Sequence, residues 1–69
     1  MSFQHHIGRN VAHLRRGRGW SQENLGFEAG VDRTYISQIE RGVANPSVAS
    51  LMKVAKALAV PCFRLLEPY

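Results

Sequence analysis

Three consecutive residues, Gly30-Val31-Asp32, carry a signal to stop one helix and start the next. Gly30 takes the left-handed conformation that ends a helix, and Asp32 has the short carboxylate that caps the first amides of a new one. The result is a helix, a tight turn and a second helix. Both helix starts carry an apolar staple: Trp20 pairs with Leu25 beside the capping residue Ser21, and Val31 pairs with Ile36 beside Asp32.

The rest of the chain also reads at helical period. Phe3, Ile7, Val11 and Leu14 form one stripe of a helix over about residues 2–16, ended by Gly17 and Gly19. Ile36 and Ile39 face inward on the third helix, which ends at Gly42. After a loop through Ala44, Asn45 and Pro46, Ser47 caps a fourth helix striped by Leu51, Val54, Ala55 and Leu58. Pro61 is placed to start a fifth helix at its first position, with Cys62, Leu65 and Leu66 available for burial. No strand-length alternation, Asn-Gly hairpin turn or internal repeat occurs. The fold class is all-α, a compact five-helix bundle forming a single domain over residues 1–69.

At 69 residues, with 45% hydrophobic and 20% charged side chains, the composition is that of one small globular domain. Its single cysteine, Cys62, excludes an internal disulfide and a multi-cysteine zinc site, and suits a reducing cytoplasm. No apolar run approaches the ~20 residues that span a bilayer, and no charged-then-apolar leader is apparent. The expectation is a cytoplasmic protein without a membrane partner. His5, His6 and His13 lie far from Cys62 and have no neighbouring acid. Phosphate loops, zinc-protease spacing and nucleophile motifs are missing. No catalytic residue, metal, cofactor or small-molecule ligand is expected.

Charge points elsewhere. The net charge is +4, and Arg9, Arg15, Arg16 and Arg18 crowd the first 20 residues with no acid among them. Such a block suits a polyanion, although a solvated helix face has the same composition. The two-helix unit over about residues 21–42 sharpens the choice. A helix-turn-helix places its second helix in the DNA major groove and needs a very small residue where the helices cross, and Gly26 occupies that position. Leu25, Ala29, Ile36 and Ile39 supply the interior. An αα-hairpin that never meets DNA would use the same residues.

Ser21-Gln22, Leu25, Ala29-Gly30-Val31, the run Ile36-Ser37-Gln38-Ile39-Glu40-Arg41-Gly42, Asn45-Pro46-Ser47, Leu51, Ala55-Lys56-Ala57-Leu58 and Val60 together resemble the Cro and phage-repressor type, or Xre-like, helix-turn-helix family. The resemblance covers about residues 7–66. It implies a lambda-repressor-like domain that binds double-stranded operator DNA as a homodimer, with the recognition helix at about residues 32–42. The small size suits a stand-alone regulator such as a restriction-modification controller. Carried over by position, Arg33, Thr34, Ser37 and Gln38 are the implied base-contacting residues. Arginine suits guanine, glutamine suits adenine, and the threonine methyl suits thymine. Gln22, Tyr35, Arg41, Asn45 and Arg16 are the implied phosphate contacts, Gln22 at a helix N-terminus that favours an anion. Tyr35 equally suits packing, and Arg41 and Asn45 equally suit capping and turn formation. Arg15 and Glu40 match a structural ion pair that joins the first helix to the end of the third.

Several positions depart from the family pattern. Gly26 replaces the usual alanine, and Ala59 stands where a glycine usually ends the fourth helix. Phe27 and Phe63 occupy positions that are normally polar. Helices four and five, about residues 47–67, form the dimer contact in many small members, which assigns Phe63, Leu65 and Leu66 to a subunit interface. Glu23 fits the acidic surface that activating phage repressors turn toward RNA polymerase, and Phe27 breaks that pattern. The exposed aromatics also fit an alternative, an antitoxin-like protein-interaction module whose DNA binding is secondary.

Overall fold

The computed structural model describes residues 2–68. Four α-helices, α1 (Phe3–Gly17), α2 (Gln22–Ala29), α3 (Arg33–Glu40) and α4 (Val48–Ala57), are followed by a short 3-10 helix at Cys62–Leu66. No strand occurs among the described residues. The first four elements start where small polar side chains can cap them. Ser2, Ser21, Asp32 and Ser47 each accept a hydrogen bond from an amide in the first turn they precede. Ser21 and Asn24 close a reciprocal capping box. Gly30, at φ +72, ends α2 in the left-handed conformation, its amide and that of Val31 bonded back to Phe27 and Gly26.

The expected fifth helix is a short 3-10 segment rather than a further α-helix of the bundle, and Pro61 stands at its N-cap in an extended conformation instead of at its first position. The physical reason lies at the far end. Glu67 precedes Pro68 and is extended, as the proline ring requires of its predecessor, so the segment stops before an α-helical ladder can develop.

The core is centred on Leu25, Ile36, Ile39, Leu65, Val11 and Val54, all essentially inaccessible to solvent. The helix α3 packs on α1 and α2, α2 also meets α4, and the 3-10 helix bridges α1 and α4. Two expectations for the apolar residues are corrected here. Phe3 is 58% exposed, because the core reaches along α1 only to Ile7 and the first turn projects beyond it. Leu65 is 0% exposed: the 3-10 turn directs it into the core, so it cannot serve the subunit interface assigned to it. The neighbouring Leu66 is half-buried against that core, and Phe63 is exposed.

Two contacts fix the helices closely. A Cβ on Gly8 would collide with the backbone carbonyl of Ile39 and lie 2.7 Å from that of Glu40, so α1 and α3 meet backbone to backbone. At Gly26 a Cβ would lie 2.8 Å from the Val31 carbonyl oxygen, the close approach that the turn demands.

Candidate nucleic-acid interface

The turn after α2 leaves the N-terminal end of α3 at the surface. Asp32 holds the Thr34 amide at 2.7 Å, and Arg33 and Thr34 stand exposed on that first turn. Ile36 and Ile39 anchor the opposite side of α3 in the core, which fixes the direction in which its polar side points. Arg33, Thr34 and Ser37 line an open groove together with Ser21, Gln22 and Glu23 from the start of α2 and Arg15 from α1. The structure thus brings four of the implied DNA-contacting residues, Gln22, Arg33, Thr34 and Ser37, to one place. The outer guanidinium nitrogen of Arg33 lies 4.0 Å from the Glu23 carboxylate, with both side chains mostly in solvent.

The remaining implied contacts lie outside the groove. Gln38 is half-buried, and its carbonyl accepts from the Val43 and Ala44 amides, which shapes the loop after α3. Tyr35 is half-buried and packs on the core. Arg41, the C-cap of α3, Asn45 in the following loop and Arg16 in the last turn of α1 are exposed. Arg18 is held against the protein's own surface: it donates to the Leu58 carbonyl at 3.1 Å and stacks on Trp20 at 4.7 Å.

Behind the groove sits a buried ionic network. Arg15 Nε donates to Glu40 Oε2 at 2.7 Å and Arg15 Nη2 to Glu40 Oε1 at 3.0 Å, a two-pronged geometry that arginine and carboxylate favour. Arg15 Nη1 donates to the Trp20 carbonyl at 2.8 Å. The Arg15 guanidinium has its pKa raised, chiefly by the hydrogen bonds to Glu40 and against the effect of burial, so it stays charged at every working pH. Gln22 Nε2 also donates to Glu40 Oε1, at 3.0 Å.

Sequence reasoning missed that last bond, the Arg33 approach to Glu23, and the role of Asn10. Gln22 and Glu40 are 18 residues apart, and nothing local in either segment signals their meeting. Asn10 is almost wholly buried and donates to the Leu65 and Glu67 carbonyls at 3.0 and 2.6 Å, tying the 3-10 helix to α1. A polar residue among Ile7, Val11 and Leu14 was the one signal that pointed to it. Among the described residues no group of three His, Cys, Asp or Glu side chains could hold a metal, and no helix is long and apolar enough to cross a membrane.

A family model described as helix-turn-helix matches residues 11–65. The chain belongs to the helix-turn-helix family. The control protein C.BamHI of Bacillus amyloliquefaciens is 44% identical to this helix-turn-helix chain over 62 residues, which cover 88% of the chain and 76% of the relative. A hypothetical transcription factor of Neisseria meningitidis is 42% identical over 59 residues, 86% of this chain but 56% of the relative. A crystal structure of a hypothetical transcription factor from Neisseria superposes with a TM-score of 0.94 at 37% identity, over 97% of this chain and 77% of the other. SinR of Bacillus subtilis is 39% identical over 62 residues, 88% of this chain and 56% of SinR. A structure of SinR in complex with DNA superposes with a TM-score of 0.84 at 39% identity, over 88% of this chain and 98% of that one. The chain therefore spans little more than half of two of these relatives.

Proposed function

We propose that this helix-turn-helix chain is a sequence-specific transcription regulator that binds double-stranded DNA as a homodimer, with α3 in the major groove. The observation that carries the reading is the exposed N-terminal turn of α3, where Arg33 and Thr34 stand beside Gln22 in one groove of a fold similar to that of SinR in its DNA complex. Arg33, Thr34, Ser37 and Gln38 read base edges. Gln22, Arg41, Asn45 and Arg16 hold phosphates, with Tyr35 at the edge of that set and chiefly a packing residue. The net charge of +4 gives the binding a steep salt dependence, since each neutralised phosphate releases counterions.

The dimer pairs the α4 and 3-10 surface of two subunits. Val48 and Met52, one turn apart on α4, are 71% and 58% exposed, and Phe63 on the 3-10 helix is 64% exposed. Paired subunits present two recognition helices about 34 Å apart, so the operator is an inverted repeat with half-sites one helical turn apart or a multiple of it. Glu23 lies on the exposed side of α2, the surface we assign to RNA polymerase in an activating complex. The setting of such a chain is the cytoplasm.

Selection of duplexes from a random pool by the purified protein, at near-physiological salt, tests the reading. Enrichment of an inverted repeat is expected, whereas a folded protein that enriches no sequence goes against it. The latter result favours the antitoxin-like reading, which one specific observation supports: Phe27 is 84% exposed on α2.

A further inference from the structure

The buried network behind the groove links fold to binding. Glu40 ends α3, Arg15 lies in the last turn of α1, and Gln22 is the first residue of α2, so three helix ends meet at one carboxylate. Both oxygens of that carboxylate are engaged: Oε2 by Arg15 Nε, and Oε1 by Arg15 Nη2 and Gln22 Nε2 together. The Arg15 and Glu40 side chains are only 11% and 6% exposed, so the geometry is shielded from water.

We infer that Glu40, neutralised by Arg15, is a positioning residue for DNA: it holds the Gln22 side-chain amide in place so that the amide meets a backbone phosphate already ordered. The inference rests on the assignment of Gln22 as a phosphate ligand and deepens it. A carboxylate beside a phosphate site would repel the ligand, and the guanidinium on its other side cancels that charge. The Nε2 group has two N–H bonds, one given to Glu40, and the second is left for the phosphate. A loose glutamine loses rotamer freedom when it is captured, and a glutamine fixed in the free protein does not bear that cost on binding. The start of a helix adds amides and a dipole that favour the same anion.

The test is a double-mutant cycle in DNA affinity, measured at a temperature where circular dichroism shows every variant folded. Glu40→Gln removes the charge, leaves one acceptor oxygen in place of two and turns an NH2 group toward the Arg15 and Gln22 donors, so the guanidinium and the Gln22 amide compete for a single neutral oxygen and the hold on Gln22 weakens. We expect Gln22→Ala and Glu40→Gln each to weaken binding about tenfold for operator and random duplex alike, the worth of one hydrogen bond to a charged group. In the Gln22→Ala background, Glu40→Gln is expected to cause no further loss. An equal loss with and without Gln22 overturns the inference and leaves Glu40 acting through stability alone. Unchanged affinity in Gln22→Ala overturns the phosphate assignment itself, and the inference with it. A readout that needs no variant is the order parameter of the Gln22 side-chain NH2 group in the free wild-type protein. A value near the ~0.85 of rigid backbone supports the hold, and one below about 0.6 overturns it.

Discussion

Ala59 holds a left-handed backbone, φ +59, at the turn that closes α4. The amides of Ala59 and Val60 bond back to Lys56 and Ala55, a helix ending whose left-handed position normally takes glycine. An alanine there costs about 1–3 kcal/mol of strain, of which glycine would return some through the greater freedom of its unfolded chain. Ala59→Gly is therefore expected to stabilise the fold by about 1 kcal/mol, read as a melting midpoint raised by about 4–8 °C. The sequence already marked this position as a departure, since a helix stop without glycine is visible in one dimension. At the DNA side, Arg33→Ala should relax selectivity at one base pair at a cost of about 1–3 kcal/mol, measured by competition between operator and single-base variants. Equal loss on operator and random duplex counts against its role at a base. The exposure of Arg33 follows from its place after the Asp32 cap, whereas its 4.0 Å approach to Glu23 depends on how α2 crosses α3 and could not be read locally.

The elements α1 to α4 were legible from their apolar residues at helical spacing and, for α2 to α4, from the serine or aspartate that precedes each. What holds them together was less so. Gly8 sits inside α1, where propensity alone favours alanine by about 1 kcal/mol. The structure reverses that sign: the added Cβ would meet the Ile39 and Glu40 carbonyls and push α1 off α3. Gly8→Ala is expected to destabilise by about 1–3 kcal/mol in urea unfolding. Asn10 is a second such case. Its two hydrogen bonds fasten the 3-10 helix to α1, so Asn10→Ala should cost about 2 kcal/mol, with faster amide exchange concentrated at Arg64 to Leu66. An exchange pattern raised evenly over the whole chain would contradict that local account. The last element is a 3-10 turn and not a longer helix because the Glu67-Pro68 step limits its length.

For the whole molecule, the exposed Val48, Met52 and Phe63 lie on the two elements assigned to dimer formation, while Leu65 is committed to the interior. Phe63→Asp should leave the unfolding free energy within about 0.5 kcal/mol under conditions where the chain is monomeric, because an exposed side chain contributes little to the fold. It should shift sedimentation toward the monomer and weaken operator binding with it, since each half-site then binds alone. An unchanged dimer would place the interface elsewhere. The four α-helices, the caps at Ser21, Asp32 and Ser47 and the tight turn at Gly30 were legible in one dimension because each depends on residues within a few positions of one another, and the family was legible because its motifs recur at fixed spacing along the chain. The Arg15 to Glu40 pair was also expected and is present, whereas the folded chain alone shows that Glu40 takes Gln22 as well, that Asn10 secures the 3-10 helix, and which of the C-terminal apolar residues face the core. Those choices are made by side chains that meet across 18 to 57 residues of sequence, where the direction of each element, rather than its identity, sets the contact.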